Sequence, residues 1–197
     1  MVETAIIFDC FGVLATDGWL PFRNKQFGED KSLLLQADRL NKQMDTGFIS
    51  YKKFVMEIAI LAGVSEEVVD SNIDSNVPNE ELLQYISKEL KPNYKIGILS
   101  NAGANWLDTI FTTEQLSMFD AVMISYEAGV VKPEPLAYEI IAQRLDVPLG
   151  ACVFIDDQER YCVGAQTVGM QAIKYTNFAQ LKRDLTAILE SEAKSAQ

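Results

Sequence analysis

The fold of this chain is decided by the stretch Ile6-Ile7-Phe8-Asp9-Cys10-Phe11-Gly12-Val13-Leu14, close to the start of the sequence. Its apolar first half is typical of a buried parallel strand, and Gly12 permits a tight turn directly afterwards. Asp9 therefore falls at the carboxyl end of this strand, which is where open α/β sheets hold their ligands. Phe11, two residues later, brings an aromatic side chain to the same place.

The composition limits the functions that the chain can have. Its 197 residues are enough for one core with a small accessory domain. A formal net charge of −11 argues against binding to nucleic acid or to anionic membranes, because both need clustered Lys and Arg. Histidine is absent, which excludes Ser-His-Asp and Cys-His pairs, HExxH zinc sites and histidine bases. Catalysis must therefore use carboxylates, Lys, Cys, hydroxyls or a bound metal.

The three cysteines, Cys10, Cys152 and Cys162, do not form a CxxC pair. Their number is odd, and the sequence shows neither a signal-peptide pattern nor a long apolar run. These features favour reduced thiols in a cytoplasmic protein.

Five short apolar segments predict strands at residues 5–8, 95–99, 121–124, 152–155 and 171–175. Helical patterns lie between the later segments, as where Leu136, Ile140 and Ile141 share one face after Pro135. Alternating strands and helices predict an α/β fold with a parallel sheet and right-handed crossovers.

Residues 15–82 differ from the rest because they carry helical patterns only. Leu33, Ala37 and Leu40 keep helical spacing, and Ser65 followed by two acids is typical of a helix start. A connection of this length is far longer than an ordinary loop, so we predict a helical cap over the carboxyl edge of the sheet. The predicted domains are a core of residues 1–14 and 83–197 and a cap of residues 15–82.

Chemically useful side chains follow four of the predicted strands. Because the carboxyl ends of parallel strands meet at one edge of a sheet, we expect these side chains to surround one small space. They are Asp9, the pair Ser100 and Asn101, Lys132 before Pro133, and the pair Asp156 and Asp157.

The charges of this set favour a bound cation. Carboxylates within a few ångströms of each other oppose each other's ionisation, so three of them need compensation. Mg²⁺ takes oxygen ligands and typically uses one or two carboxylates plus a phosphate. Lys132 and Ser100 would then hold the remaining phosphate oxygens. A helix expected directly after Asn101 would add its N-terminal dipole.

The four motifs, in this order, resemble those of the haloacid dehalogenase-like (HAD) superfamily of hydrolases. The shared pattern is strand-Asp, strand-Ser-Asn, Lys-Pro-x-Pro and strand-Asp-Asp before a Gly-Ala helix, and it covers essentially the whole chain. The insert resembles the small helical cap of the subfamily I type. The resemblance implies a Rossmann-like sheet with helices on both faces plus this cap. It also implies a Mg²⁺-dependent phosphatase of a small phosphorylated metabolite.

The resemblance implies a role for each matched residue. Asp9 would attack phosphorus and form an aspartyl phosphate. Ser100 would bind a phosphoryl oxygen with support from Asn101, although the Ser100 hydroxyl would equally serve as a helix cap. Lys132 would neutralise charge on the nucleophile and the phosphoryl group. The metal ligands would be Asp9, the backbone carbonyl of Phe11, Asp157 and, directly or through water, Asp156.

Phe11 departs from the pattern of the phosphatases, which usually have Asp there to protonate the leaving group. Loss of a general acid typically costs about 10²–10⁴ in rate. The sequence therefore points to substrates with good leaving groups, such as acyl phosphates or sugar 1-phosphates, or to Asp17 as a replacement acid.

An aromatic residue at this position also resembles the 2-haloacid dehalogenases, which use no metal. Those enzymes carry Ser or Asn in place of the acid pair and a further Asp where this chain has Tyr161. Arg39 in the predicted cap is the candidate halide-binding residue. The acid pair favours the metal-dependent interpretation, and a HAD-fold binding or regulatory protein with little turnover is the third.

Overall fold

The computed structural model describes residues 3–195, and side chains up to residue 191. Within this span one parallel sheet has the strand order β3-β2-β1-β4-β5. β1 lies between β2 and β4, with Phe8 opposite Ile98 on one side and opposite Ile155 on the other. The α/β fold with a parallel sheet is confirmed. The strands are β1 (Ala5–Phe8), β2 (Lys95–Ser100), β3 (Ala121–Ile124), β4 (Cys152–Asp156) and β5 (Gln171–Lys174).

Helices occupy most of the remaining chain. Residues Ile86–Leu90 form a π-helical turn and Leu149–Ala151 a 3₁₀ turn. The α-helices before β2 are α1 (Trp19–Phe27), α2 (Lys31–Asp45), α3 (Tyr51–Ala62), α4 (Glu66–Ile73) and α5 (Glu80–Tyr85). Those after β2 are α6 (Leu107–Ile110), α7 (Thr113–Leu116), α8 (Ser125–Ala128), α9 (Pro135–Leu145), α10 (Glu159–Thr167) and α11 (Phe178–Ser195). No helix within residues 3–195 is both long and apolar enough to cross a membrane.

The alternation of side chains along β1 builds two apolar layers. Ile6 and Phe8 join the cluster on one face of the sheet, which includes residues of α5 and α11. Ala5 and Ile7 point to the opposite face, where they meet α9 and α10. All four side chains are fully buried. Because both faces of the strand are covered, β1 is a continuous apolar run rather than an alternating one.

Helices α1 to α4 pack around an apolar cluster of their own, with Phe22, Phe54 and Ile58 among its members. The chain enters and leaves this helical segment side by side, since Ala15 and Pro78 form an antiparallel bridge. Helix α5 follows, and its Leu82 belongs to the cluster under the sheet. The division into a core and a cap at residues 15 and 82 stays a prediction.

The helix expected directly after Asn101 is wrong. Residues 101–106 are irregular, and the short helices α6 and α7, of four residues each, follow them. Two contacts explain the irregular backbone. The Asn101 side chain binds the backbone of Lys132, and Gly103 packs so closely on α2 that a Cβ there would lie 2.2 Å from Met44 Cγ. The expected helix dipole is therefore absent from this position.

Candidate active site

The strand register brings Asp9 and Asp156 together at the carboxyl edge of the sheet. The Asp9 backbone N–H donates to the carbonyl of Ile155 at 2.8 Å, which continues the pairing of β1 with β4 by one residue. Asp156 is the next residue of β4. Both side chains are buried, with Asp9 5% and Asp156 0% exposed.

Lys132 joins these two carboxylates. Its Nζ donates to Asp9 Oδ1 at 2.7 Å and to Asp156 Oδ2 at 2.6 Å, and the side chain is 1% exposed. The ammonium group also lies 4.9 Å from the centre of the Tyr161 ring and 5.3 Å from that of Phe154. Charge-assisted hydrogen bonds and aromatic faces together hold the cation in one place.

The protonation states follow from this arrangement. Burial raises the pKa of Asp9 well above its usual value, while Lys132 lowers it and Asp156 raises it further. Burial on its own lowers the pKa of Lys132, but Asp156 and Asp9 more than offset this and raise it above the ordinary value. Lys132 therefore stays cationic, and one positive charge stands against several carboxylates.

The third carboxylate, Asp157, completes a group that fits a metal ion. One oxygen each of Asp9, Asp156 and Asp157 lies within 4.8 Å of the others. Asp157 Oδ1 is buried and has no hydrogen-bond partner among the described residues. Burial, followed by the charge of Asp156, raises the pKa of Asp157 to about 6. A divalent cation would give the unpartnered oxygen a ligand and lower the repulsion, which is the donor chemistry of Mg²⁺.

Gly12 makes room for that carboxylate. It has φ +88°, a conformation that other residues rarely adopt, and a Cβ there would lie 2.8 Å from Asp157 Cγ. The turn after β1 therefore requires glycine both for its backbone and for the approach of Asp157.

Ser100 and Asn101 lie at the end of the neighbouring strand, β2. The Ser100 hydroxyl is buried and has no hydrogen-bond partner among the described residues, so it does not cap a helix there. Buried polar atoms without partners are rare in native proteins, which makes this oxygen a candidate ligand-binding group. The Asn101 amide exchanges two hydrogen bonds with the Lys132 backbone, at 2.8 Å and 3.1 Å, and so positions that residue.

A cavity of about 520 Å³ opens above Asp9, between the sheet edge and the helical segment. Phe11, two residues after Asp9, also lies on its wall. The helical segment contributes a mixed polar and aromatic wall that sequence reasoning did not single out. Its members include Trp19, Arg23, Asp38, Asn41, Asp45 and Tyr51, and the core adds Trp106 and Arg160.

Three residues considered as alternatives from the sequence fall in different places. Asp17 lines the cavity, but its carboxylate accepts hydrogen bonds from the backbone N–H groups of Trp19 and Leu20. Tyr161 also lines it, with a hydroxyl that accepts from Arg160 Nη2 at 2.8 Å. Arg39 is exposed and is not among the described residues of the cavity wall.

None of the three cysteines is among the described residues of the cavity wall. Cys10, Cys152 and Cys162 are free and buried. Burial raises the pKa of Cys10 above its usual value and that of the other two to about 12. Neutral buried thiols behave as small apolar residues.

The sequence profile of the haloacid dehalogenase-like hydrolases matches residues 3–169 of the chain. The chain belongs to this family. A phosphatase from Mycobacterium tuberculosis is 35% identical over 75 residues, which make up 36% of this chain and 35% of that protein. The match thus spans about a third of the length of that relative.

Two solved structures of this fold are also similar to the chain. A HAD family enzyme from Bacteroides thetaiotaomicron, in complex with magnesium and inorganic phosphate, has a TM-score of 0.71 at 23% identity, covering 91% of this chain and 98% of that one. A dehalogenase with an intermediate complex has a TM-score of 0.65 at 14% identity, covering 89% and 87%. At these identities the likeness shows the fold of the HAD-like hydrolases and nothing further.

Proposed function

We propose that this HAD-like hydrolase is a Mg²⁺-dependent phosphatase that acts on a small phosphorylated metabolite through an aspartyl phosphate on Asp9. The observation that carries the proposal is the buried group in which Lys132 bridges Asp9 and Asp156, while Asp157 Oδ1 has no hydrogen-bond partner within the described part of the chain. The phosphatase from Mycobacterium tuberculosis and the magnesium and phosphate complex of the Bacteroides enzyme support it.

Each residue of the group has a role in the proposed reaction. Asp9 attacks phosphorus, and Lys132 holds the Asp9 carboxylate in place and balances charge that develops on the phosphoryl oxygens. The Ser100 hydroxyl, which has no partner among the residues that the structure describes, donates to one of these oxygens. Asn101 acts indirectly, because it fixes the backbone of Lys132.

The metal would be held by Asp9, Asp157, the Phe11 carbonyl and, directly or through water, Asp156. Asp156 is the less available of the acid pair, since its oxygens already accept from Lys132 and from the backbone N–H of Gln158. Bound Mg²⁺ would supply positive charge to the phosphoryl oxygens. The cavity of about 520 Å³ suits a small metabolite rather than a macromolecule.

A screen of phosphate esters and acyl phosphates tests the proposal. Wild-type protein should release phosphate with Mg²⁺ and not in EDTA. Asp9→Asn should lower the rate by roughly 10⁴-fold or more, the scale on which loss of a nucleophile acts in other enzymes. Asparagine keeps the size of the side chain, so a folded variant is expected. If wild type releases no more phosphate than Asp9→Asn from any member of the panel, the proposal is wrong.

A 2-haloacid dehalogenase is the second candidate, and the aromatic side chain of Phe11 beside Asp9 favours it. The acid pair at the end of β4 and the exposed position of Arg39 argue against it. This candidate predicts halide release from 2-chloropropionate that persists in EDTA. Failure of both assays, with a melting temperature that still rises on addition of Mg²⁺ or phosphate, would instead indicate a binding protein.

A further inference from the structure

The proposed site lacks the proton that most phosphate esters need. An alkoxide or phenoxide leaves readily only when an acid protonates it, and the Phe11 side chain beside Asp9 has no proton to give. Outside the Asp9 group, the carboxyl groups among the described residues of the cavity wall are Asp17, Asp38 and Asp45. One of these is the candidate for the missing acid.

The hydrogen bonds of these three carboxyl groups show which of them is available as an acid. Asp38 is held by Arg23, which donates to both of its oxygens at 2.5 Å and 2.6 Å. Asp17 Oδ1 accepts from two backbone N–H groups, at 2.7 Å and 3.1 Å. Arg23 thus occupies both oxygens of Asp38 and leaves neither of them free for a substrate. Burial raises the pKa of Asp17, although its two backbone hydrogen bonds lower it, and these bonds hold Asp17 Oδ1 at the start of α1.

Asp45 has a different environment. It is the last residue of α2, it is 6% exposed, and it lines the cavity. Asn41 Nδ2 donates to Asp45 Oδ2 at 2.8 Å, while Oδ1 has no partner among the described residues. One oxygen is therefore available to a ligand in the cavity, and Asp45 forms no ion pair with any other described residue.

Asp45 is also fixed relative to the sheet. The buried Ser125 hydroxyl, at the start of α8, donates to the Asp45 backbone carbonyl at 2.6 Å. One residue earlier, Met44 packs against Gly103, where any Cβ would overlap its side chain. These contacts set the end of α2 on the core, so the Asp45 carboxyl keeps its position above the site.

Its charge state suits a proton donor. Burial raises the pKa of Asp45 to about 7, with Asp17 adding to the effect and Lys132, Asn41 and Arg160 opposing it. A large fraction of the carboxyl is thus protonated near neutral pH. General acids work best when their pKa lies close to the working pH.

We propose that Asp45 is the general acid and base of this site, in place of the residue that Phe11 replaces. The proposal rests on the phosphatase function proposed above. As Asp9 forms its bond to phosphorus, the bond to the leaving oxygen breaks and that oxygen takes the Asp45 proton. Water then attacks the aspartyl phosphate, Asp45 takes a proton from it, and the bond between phosphorus and Asp9 breaks. Asp45 is again protonated, so the cycle balances.

Phenyl phosphate and p-nitrophenyl phosphate test this assignment, because they have similar shapes but phenoxide is much more basic than p-nitrophenoxide. Asp45→Asn should lower kcat/KM on phenyl phosphate by about 10²-fold or more, the usual scale for loss of a general acid. The loss on p-nitrophenyl phosphate should be at least tenfold smaller, since that group leaves unaided. Asp17→Asn is the matched control, and its effect should be the same on both substrates.

Several results would overturn the assignment. Equal losses on both substrates, or a rise in KM alone, would make Asp45 a binding residue. If the loss of kcat/KM depends on the leaving group in Asp17→Asn but not in Asp45→Asn, Asp17 is the general acid instead. Wild type that hydrolyses only acetyl phosphate, whose leaving group needs no proton, would also overturn it. In each case the phosphatase itself would stand, whereas no phosphate release from any substrate would refute the proposed function as well.

Discussion

The sheet edge and the facing wall of the helical segment present charges in two different ways. At the sheet edge, Lys132 and Asp156 are almost fully buried and joined at 2.6 Å. On the wall, Arg23 and Asp38 form a pair at 2.5 Å, but 18% and 43% of their side chains are exposed. Burial makes the first pair strongly interdependent, whereas water screens the second. Charges at the sheet edge should thus determine stability, and those on the wall should determine which substrates react.

The largest effect is expected at Lys132. Lys132→Met leaves Asp9 and Asp156 buried beside each other without their cation. Breaking a buried pair in this way costs about 3–5 kcal/mol of unfolding free energy. Urea denaturation in EDTA measures it, with Lys174→Met as the matched control.

The control and a double variant decide whether burial is the cause. Lys174 is half exposed and lies 3.6 Å from Glu159, so its replacement should change stability by about 0.5 kcal/mol or less. Asp156→Asn should restore part of the stability lost in Lys132→Met. If Lys132→Met costs no more than Lys174→Met, the contrast between the two regions is wrong.

The second largest effect is expected for the change in stability on binding of Mg²⁺. Wild type should be stabilised by Mg²⁺, by about 2.7 kcal/mol when the concentration is a hundred times the dissociation constant. Asp157→Asn should lose most of this shift, because it removes the negative charge of a carboxylate whose Oδ1 has no hydrogen-bond partner among the described residues. Thermal melting with MgCl₂ against EDTA measures it. An equal Mg²⁺ shift in both proteins would place the metal elsewhere.

A smaller effect is expected at Asp45, and it depends on pH. When the pKa of an acid is higher in the folded than in the unfolded state, ionisation of that acid lowers the free energy of unfolding. With a folded pKa of about 7 and an unfolded pKa of about 4, Asp45 costs increasing stability as pH rises between these values. Asp45→Asn removes this cost, so its stability relative to wild type should increase by roughly 2.5 kcal/mol from pH 5 to pH 8. If the curves of unfolding free energy against pH for wild type and Asp45→Asn are parallel, the pKa of Asp45 is not raised by burial.

The carboxylates of the sheet edge were predictable from the sequence because Asp9 directly follows β1 and Asp156 ends β4. Register then places Asp9 beside Asp156 without further information. The strand ends differed from prediction by one residue at most, as at Ser100, which belongs to β2. The helix expected after Asn101 failed because that side chain binds the Lys132 backbone instead, a contact between residues 31 positions apart.

The wall of the helical segment was not predictable in the same way. Asp45 and Ser125 meet across 80 residues of sequence, and no local pattern marks either one. Asp45 looks like an ordinary polar residue at the end of a helix. Its burial depends on how α2 packs on the loop around Gly103, which is a property of the folded chain.

The smallest effect on stability is expected at Arg23, and it tests the contrast between the sheet edge and the wall of the helical segment. Arg23 joins α1 to Asp38 of α2 through two hydrogen bonds on the cavity wall. Since Asp38 is 43% exposed, the coupling energy from the cycle of Arg23→Ala and Asp38→Ala should be about 1 kcal/mol or less. The cycle of Lys132→Met and Asp156→Asn should give a larger value, because both of those side chains are buried. Equal coupling energies would show that the wall is as tightly coupled as the sheet edge, and the assignment of stability to one region and selectivity to the other would fail. A clearly larger coupling energy for Lys132 and Asp156 would instead indicate that residues of the wall can be replaced, and substrate contacts changed, without loss of the fold.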